Sequence, residues 1–208
     1  MIKIFDEEII DVLKEVSHVG AGNASKALSK MTGKRIEVEF PYIKFVDIKD
    51  ISEKFGGGST LVASVFLDVK IENNDSEKKK ELGKLVFMLD YSSAKNLSSY
   101  LTESESSNEL SEMEKSAFKE TGNIITGSCL TAITEYIDVR LYEEVPNIKI
   151  DFLGALMDHF ILPIARERDE ALVFKTRFNF DEKENAYFLF LFHPESEEFL
   201  KNRLDEIS

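Results

Sequence analysis

The sequence has little of what marks several common classes of protein. Its single cysteine, Cys129, allows no internal disulfide bond, which agrees with a reducing compartment. No apolar run approaches the about 18 residues that a membrane span needs, and no signal peptide opens the chain. The three histidines have no clustered cysteines or carboxylates around them, so no metal site is recognisable. We therefore expect a cytoplasmic protein with no metal of its own.

Basic residues are also scarce, because 26 Lys and Arg stand against 39 Asp and Glu, for a formal net charge of −13. Nucleic acids and anionic membranes draw their affinity from clustered Lys and Arg, so we expect neither as a partner. A basic protein surface is the natural partner of such a charge. With 43% hydrophobic residues in 208, the chain can bury a substantial core.

The most informative feature is a polar stripe that occurs twice. Ser116, Glu120 and Asn123 fall at i, i+4 and i+7, so on a helix they share one face. The segment from 116 to 146 has a counterpart from 11 to 41, at one constant offset (116 − 11 = 105 and 146 − 41 = 105). We interpret the two halves as one unit used twice.

Each half has the same predicted order: a helical motif segment, several strands and a closing helix. Glycines within each motif predict a break, so each motif would form a pair of helices, with Met113, Ala117 and Ile124 facing the core in the second. Short polar turns between strands favour an antiparallel sheet. We predict a single domain of two repeats, about 1–105 and 106–208, with an α+β fold of pseudo-twofold symmetry.

Five other features have structural interpretations. The glycines of 20–22 suggest a phosphate-binding loop, but no strand precedes them and no Gly-Lys-Ser follows, so a helix junction is favoured. Cys129 lies in an apolar helical run and is predicted to be buried and inert. The alternating Phe and Leu of 188–192 predict a strand buried on both faces. The polar run 72–83 predicts a hairpin connection, and Pro41 predicts a strand end or sheet edge.

The motif resembles a known family. Its pattern is Asp or Ser, three residues, Glu, two residues, Asn, twenty-two residues and Pro, which is similar to the signature of the CheC, CheX and FliY phosphatases of chemotaxis. Ser116, Glu120, Asn123 and Pro146 satisfy it completely. The resemblance favours CheC, because CheX-like proteins carry one motif and FliY-like proteins add flagellar segments for which 208 residues leave no room. It implies a CheC-like fold.

The resemblance also implies a protein aspartyl-phosphate phosphatase, a hydrolase that removes the phosphoryl group from the response regulator CheY. Glu120 and Asn123 would be the catalytic residues: the Asn123 carboxamide would hold the attacking water, and Glu120 would pair with a lysine of the partner. Ser116 and Pro146 would support this second site. No cofactor of its own is expected, since the response regulator supplies Mg²⁺.

The first copy departs from the pattern. Asp11, Glu15 and Pro41 match, but His18 occupies the asparagine position. An imidazole can hydrogen-bond a water; the alternative is a surface histidine with no role. We predict that this degenerate site docks a regulator weakly or not at all and hydrolyses poorly.

The competing function is a non-catalytic adaptor that binds CheD, a receptor-modifying deamidase, and phosphorylated CheY to regulate receptor adaptation. Many CheC-like proteins bind CheD, so the resemblance makes CheD a partner beside CheY. We expect a monomer, because the duplication supplies within one chain what a CheX-like dimer assembles from two. Turnover of phosphorylated CheY with and without CheD separates the two functions.

Overall fold

The computed structural model describes residues 7–71, 79–104, 109–161, 170–179 and 183–192, together with Arg203. Its helices are α1 (Glu7–Thr32), α2 (Ile51–Lys54), α3 (Tyr91–Thr102), α4 (Glu112–Ile137) and α5 (Leu153–Ile161), and a 3-10 turn spans Ile48–Asp50. Its strands are β1 (Glu37–Asp47), β2 (Leu61–Ile71), β3 (Lys80–Asp90), β4 (Leu141–Glu143), β5 (Asn147–Phe152), β6 (Glu170–Asn179) and β7 (Lys183–Phe192). Within these ranges no helix is both long and apolar enough to cross a membrane.

The seven strands form one antiparallel sheet in the order β1-β6-β7-β3-β2-β4, and β5 also pairs with β2. This order is symmetric about the β3–β7 pair. β2 and β6 flank that pair, and the first strand of each half lies outside the second strand of the other half. The predicted α+β fold with an antiparallel sheet is confirmed.

Pro41 and Pro146 lie at equivalent irregularities on the two edges of this sheet. Across residues 39–42, β1 advances three residues while β6 advances two. Across residues 143–147, the β4–β5 segment advances four residues while β2 advances three. Each proline therefore lies in a one-residue bulge, where its missing N–H breaks no ladder hydrogen bond. The edge position predicted for Pro41 is confirmed.

Both faces of the sheet are covered. The larger core lies between the sheet and α1, α3 and α4, and it includes Phe87 of β3 together with Phe188 and Phe190 of β7. The intervening Leu189 and Leu191 belong to a second core under α2 and α5. Side chains alternate between the faces of a strand, so β7 is buried on both sides. The prediction for this strand is confirmed for residues 188–191.

The helices α1 and α4 run unbroken through their glycines, so the predicted helix pair in each motif is wrong. Gly20 lies where α1 contacts α4, and a Cβ at this position would be 3.2 Å from the Cα of Cys129. The glycine therefore permits close packing of two helices and does not end one. A glycine within a helix costs only about 1 kcal/mol relative to alanine, which burial of the helix can offset.

The start of β3 and the closing helices agree with the sequence-based predictions only in part. β3 begins at Lys80, so the predicted hairpin connection is wrong over its last residues, 80–83, while 72–78 lie outside the described residues. The closing helix is confirmed in the first half as α3. Its counterpart near the C-terminus, 194–204, lies outside the described residues apart from Arg203.

A buried carboxylate fixes the start of α4. Ser111 caps the helix and forms a capping box with Glu114, which accepts the Ser111 backbone N–H at 2.8 Å. Glu114 also accepts the hydroxyls of Ser99 and Ser104, both at 2.8 Å, so it joins α3 and the connecting segment to α4. The Ser111 N–H and these hydroxyls lower the pKa of Glu114 from 4.5 to about 2, although burial opposes this.

This carboxylate predicts a pH dependence of stability. Because its folded-state pKa is lowered, the stabilisation is complete above about pH 4.5 and is lost as the pH falls toward 2. We expect Glu114→Gln to reduce the free energy of unfolding at pH 7 by about 1 kcal/mol and to flatten its decline at acidic pH. Thermal unfolding between pH 7 and pH 3 measures this, with Glu112→Gln in the same helical turn as the control. If the stability of Glu114→Gln fell as steeply with decreasing pH as that of the wild type, the prediction would be contradicted.

Candidate active site

The predicted stripe forms an outward-facing ridge on α4. Ser116 and Glu120 are exposed, and Asn123 is half-buried. A helix rises 1.5 Å per residue, so the three positions extend over about 10 Å along α4. The structure brings these three predicted residues together on the outer side of one helix. A helix edge of this kind is suited to entering a partner's site more than to enclosing a small molecule.

The functional groups of this ridge are available to a partner. Among the described residues, neither the Glu120 carboxylate nor the Asn123 carboxamide makes an ion pair or a hydrogen bond. The backbone carbonyl of Asn123 accepts a hydrogen bond from the Thr126 hydroxyl at 3.0 Å, which leaves the carboxamide unengaged. The Ser116 hydroxyl instead donates to the Glu112 carbonyl at 2.8 Å. A free carboxylate therefore lies one helical turn from a free carboxamide.

The opposite side of α4 is packed on the sheet. Phe118 and Ile125 are fully buried there. Gly122 makes the closest approach, because a Cβ at this position would lie 2.5 Å from the Cβ of Val65 on β2. Val65 is itself fully buried and β-branched, so it has little freedom to move away. Gly122 therefore sets the height of the neighbouring Asn123 above the sheet.

Pro146 does not lie on α4 with the other three residues of the pattern. It is half-buried in the bulge between β4 and β5, a different element from α4. The fixed number of residues between Asn123 and Pro146 thus covers the rest of α4, the turn after it and β4. This spacing places Pro146 in the bulge at the sheet edge.

The first copy also lies on a helix surface. Asp11, Glu15 and His18 are all exposed on α1, and Asp11 is paired with Lys14 at 2.7 Å. No described residue forms a hydrogen bond with the side chain of His18. The backbone of Pro41 lies in the β1 bulge. Glu15 lines a groove of about 260 Å³ together with Val16, Val19, Ala132, Glu135 and Tyr136.

The structure keeps the two motifs apart. Glu15 shares its groove with Tyr136 near the end of α4, whereas Glu120 shares a groove with Met31 near the end of α1. The two helices are therefore antiparallel, and the motifs lie at opposite ends of the pair. Glu15 and Met31 are 16 residues apart on α1, which corresponds to about 24 Å. Each motif thus forms a separate surface.

The groove beside Glu120 was missed by the sequence-based reasoning. It has a volume of about 510 Å³, and its lining includes Met31, Leu101, Glu103, Met113, Ala117 and Glu120. The prediction that Met113 faces the core is wrong, because its side chain is 67% exposed. In the first turn of α4 the inward position belongs to Glu114, whose carboxylate is bound by serines. Helical periodicity alone favours the apolar residue for that position.

Other reactive groups in the described part of the chain are few. Cys129 is buried, and burial raises the pKa of its thiol to about 12, so the predicted buried thiol is confirmed. No group of three or more His, Cys, Asp or Glu side chains within the described ranges could hold a metal ion. The ridge on α4 and the equivalent polar residues on α1 are therefore the candidate sites in the described part of the chain.

The packing of α4 predicts opposite effects for two helical glycines. Gly122→Ala should lower the free energy of unfolding by about 1–3 kcal/mol, because the new methyl group would overlap Val65. Gly22→Ala is the matched control: no atom lies within 4 Å of its added Cβ, so it should raise stability by about 0.5–1 kcal/mol. Urea-induced unfolding of both variants measures this. A gain in stability in both would contradict the close approach of α4 to β2.

Known proteins resemble this chain in sequence and in fold. No protein-family model matches the chain. The chain is 29% identical over 174 residues to the CheY-P phosphatase CheC of Bacillus subtilis, covering 82% of this chain and 79% of that protein. It is 26% identical over 129 residues to the CheC1 protein of Halobacterium salinarum, covering 61% and 60%.

A solved structure extends the comparison to the fold. FliY of Thermotoga maritima superposes with a TM-score of 0.75 at 17% identity, over 98% of this chain and 99% of that one. At this level of identity the likeness concerns the fold, while the sequence likeness comes from the CheC proteins. The resemblance to the CheC, CheX and FliY family that the duplicated motif indicates is thereby confirmed.

Proposed function

We propose that this chain is a phosphatase that hydrolyses the aspartyl phosphate of a CheY-type response regulator. The observation that carries this proposal is the free Glu120 carboxylate one turn from the free Asn123 carboxamide, on the outer side of a helix that rests on the sheet. The 29% identity to a protein named CheY-P phosphatase CheC supports the same substrate class.

The reaction needs few groups from this chain. An aspartyl phosphate is an activated acyl phosphate: water attacks phosphorus, the bond from phosphorus to the aspartate oxygen breaks, and inorganic phosphate and the free carboxylate form. The missing element is an ordered water in line with the leaving oxygen. The Asn123 carboxamide can accept and donate hydrogen bonds to that water and does not titrate. In this proposal, the regulator supplies the Mg²⁺ and lysine that neutralise the phosphoryl oxygens.

Glu120 has a docking role in this proposal. Its exposed carboxylate can pair with a lysine of the regulator as the ridge enters the partner's site. Because Asn123 lies three residues further along the same rigid helix, this contact also fixes where the carboxamide points. Ser116 lies one turn earlier and extends the docking surface. The net charge of −13 favours encounter with a basic surface.

The first copy is proposed to contribute little to turnover. The nitrogens of the His18 imidazole lie at different distances from the helix than the carboxamide atoms of Asn123, so they would not hold a water in the same geometry. Asp11 is already paired with Lys14. Weak docking at this site, binding of CheD and a monomeric state stay predictions.

The proposal is tested by the decay of phosphorylated CheY. Wild-type protein should accelerate the decay, and Asn123→Ala should reduce the acceleration by about 10²-fold or more, since the positioned water is lost. His18→Ala is the matched control at the equivalent position of the other copy and should leave the rate within twofold. If the wild type gives no acceleration, even with CheD added, the phosphatase proposal fails and the adaptor function takes its place.

A further inference from the structure

The groove beside Glu120 contains exposed apolar surface that the proposed chemistry does not use. Met31 at the end of α1 is 45% exposed, and Met113 in the first turn of α4 is 67% exposed. Leu101 of α3 and Ala117 of α4 extend the same lining. Two large exposed apolar side chains that share one concave surface are typical of a binding site. Methionine is flexible and unbranched, so it adapts well to a partner's side chain.

The charges of the groove limit what it can receive. Its charged lining residues are two carboxylates, Glu103 and Glu120. Glu103 is paired with Lys34 at 3.3 Å, whereas Glu120 has no ion pair among the described residues. A fitting occupant therefore presents an apolar side chain next to a cationic one. The groove is continuous with the ridge, because Glu120 belongs to both.

We propose that this groove is the apolar half of the docking surface for the phosphorylated response regulator. An apolar side chain of the regulator, adjacent to the lysine that pairs with Glu120, would insert between Met31 and Met113. Both methionines are then docking residues that set affinity and do not touch the reacting atoms. This inference rests on the proposed function.

The groove beside Glu120 also distinguishes the second copy of the motif from the first. At the offset of 105 residues, Met113 corresponds to Glu8 and Met31 to Tyr136. The groove of the first copy holds Glu15 and Glu135 beside Tyr136, with about half the volume. The first groove has Val16, Val19, Ala132 and Tyr136 as apolar lining, whereas the second offers two flexible methionines in about twice the volume. An apolar side chain that needs the larger and more adaptable groove should therefore dock beside the second motif.

Steady-state hydrolysis of phosphorylated CheY tests the docking role. Met31→Ala and Met113→Ala should each raise KM by about 5- to 30-fold and leave kcat within twofold, because they remove binding that is equal in ground and transition states. Val145→Ala is the control, since this side chain is 76% exposed at the β4–β5 connection and does not line the groove. All three side chains are exposed, so thermal unfolding should be unchanged. A fall in kcat with no change in KM would overturn the inference.

A binding measurement separates failure of this inference from failure of the proposed function. The Asn123→Ala protein is titrated with CheY in its beryllofluoride form, with and without the additional Met31→Ala and Met113→Ala changes. Weakening of about 10-fold or more by the methionine changes is expected. Binding that is undiminished, or absent from the start, overturns the groove as the docking surface. Wild-type protein that binds CheY through the groove yet fails to accelerate decay overturns the phosphatase proposal alone.

Discussion

The close contact of α4 with the sheet is the constraint on which the candidate site depends. Gly122 leaves no room for a side chain above Val65, so the helix backbone lies directly on β2. The next residue, Asn123, is thereby held at a fixed height while its carboxamide stays outside the core. At the start of the same helix, the serine hydroxyls around Glu114 hold α4 against α3. The ridge is rigid because its supports are buried.

The duplicated architecture explains why two similar surfaces coexist in one chain. In the single sheet, the first strand of each half pairs with the second strand of the other half, and α1 and α4 pack antiparallel where Gly20 meets Cys129. The two halves therefore share one sheet and one helix contact. The shared core therefore preserves both helices, while residues on their outer sides, such as His18 and Asn123, differ between the copies. Divergence at the surface with a common core is what this packing permits.

Much of the molecule was predictable from local patterns, but its packing was not. The stripe of Ser116, Glu120 and Asn123 follows from helical spacing, and the strands follow from alternation. The glycines were misinterpreted as helix ends because their role depends on what lies opposite them in space. Met113 was misplaced because the partners of Glu114 are remote in sequence. The groove beside Glu120 is formed by three helices, so no single segment of the sequence indicates it.

In the proposed mechanism, neighbouring residues on one ridge have separate roles: Glu120 docks the regulator and Asn123 positions the water. Single-turnover hydrolysis of phosphorylated CheY, measured over a range of excess enzyme, tests it most directly. The account predicts that Asn123→Ala saturates at the wild-type enzyme concentration but at a rate about 10²-fold lower, while Glu120→Gln approaches the wild-type rate only at a higher concentration. If both variants lost maximal rate and neither changed the half-saturating enzyme concentration, the separate roles of Glu120 and Asn123 would be contradicted.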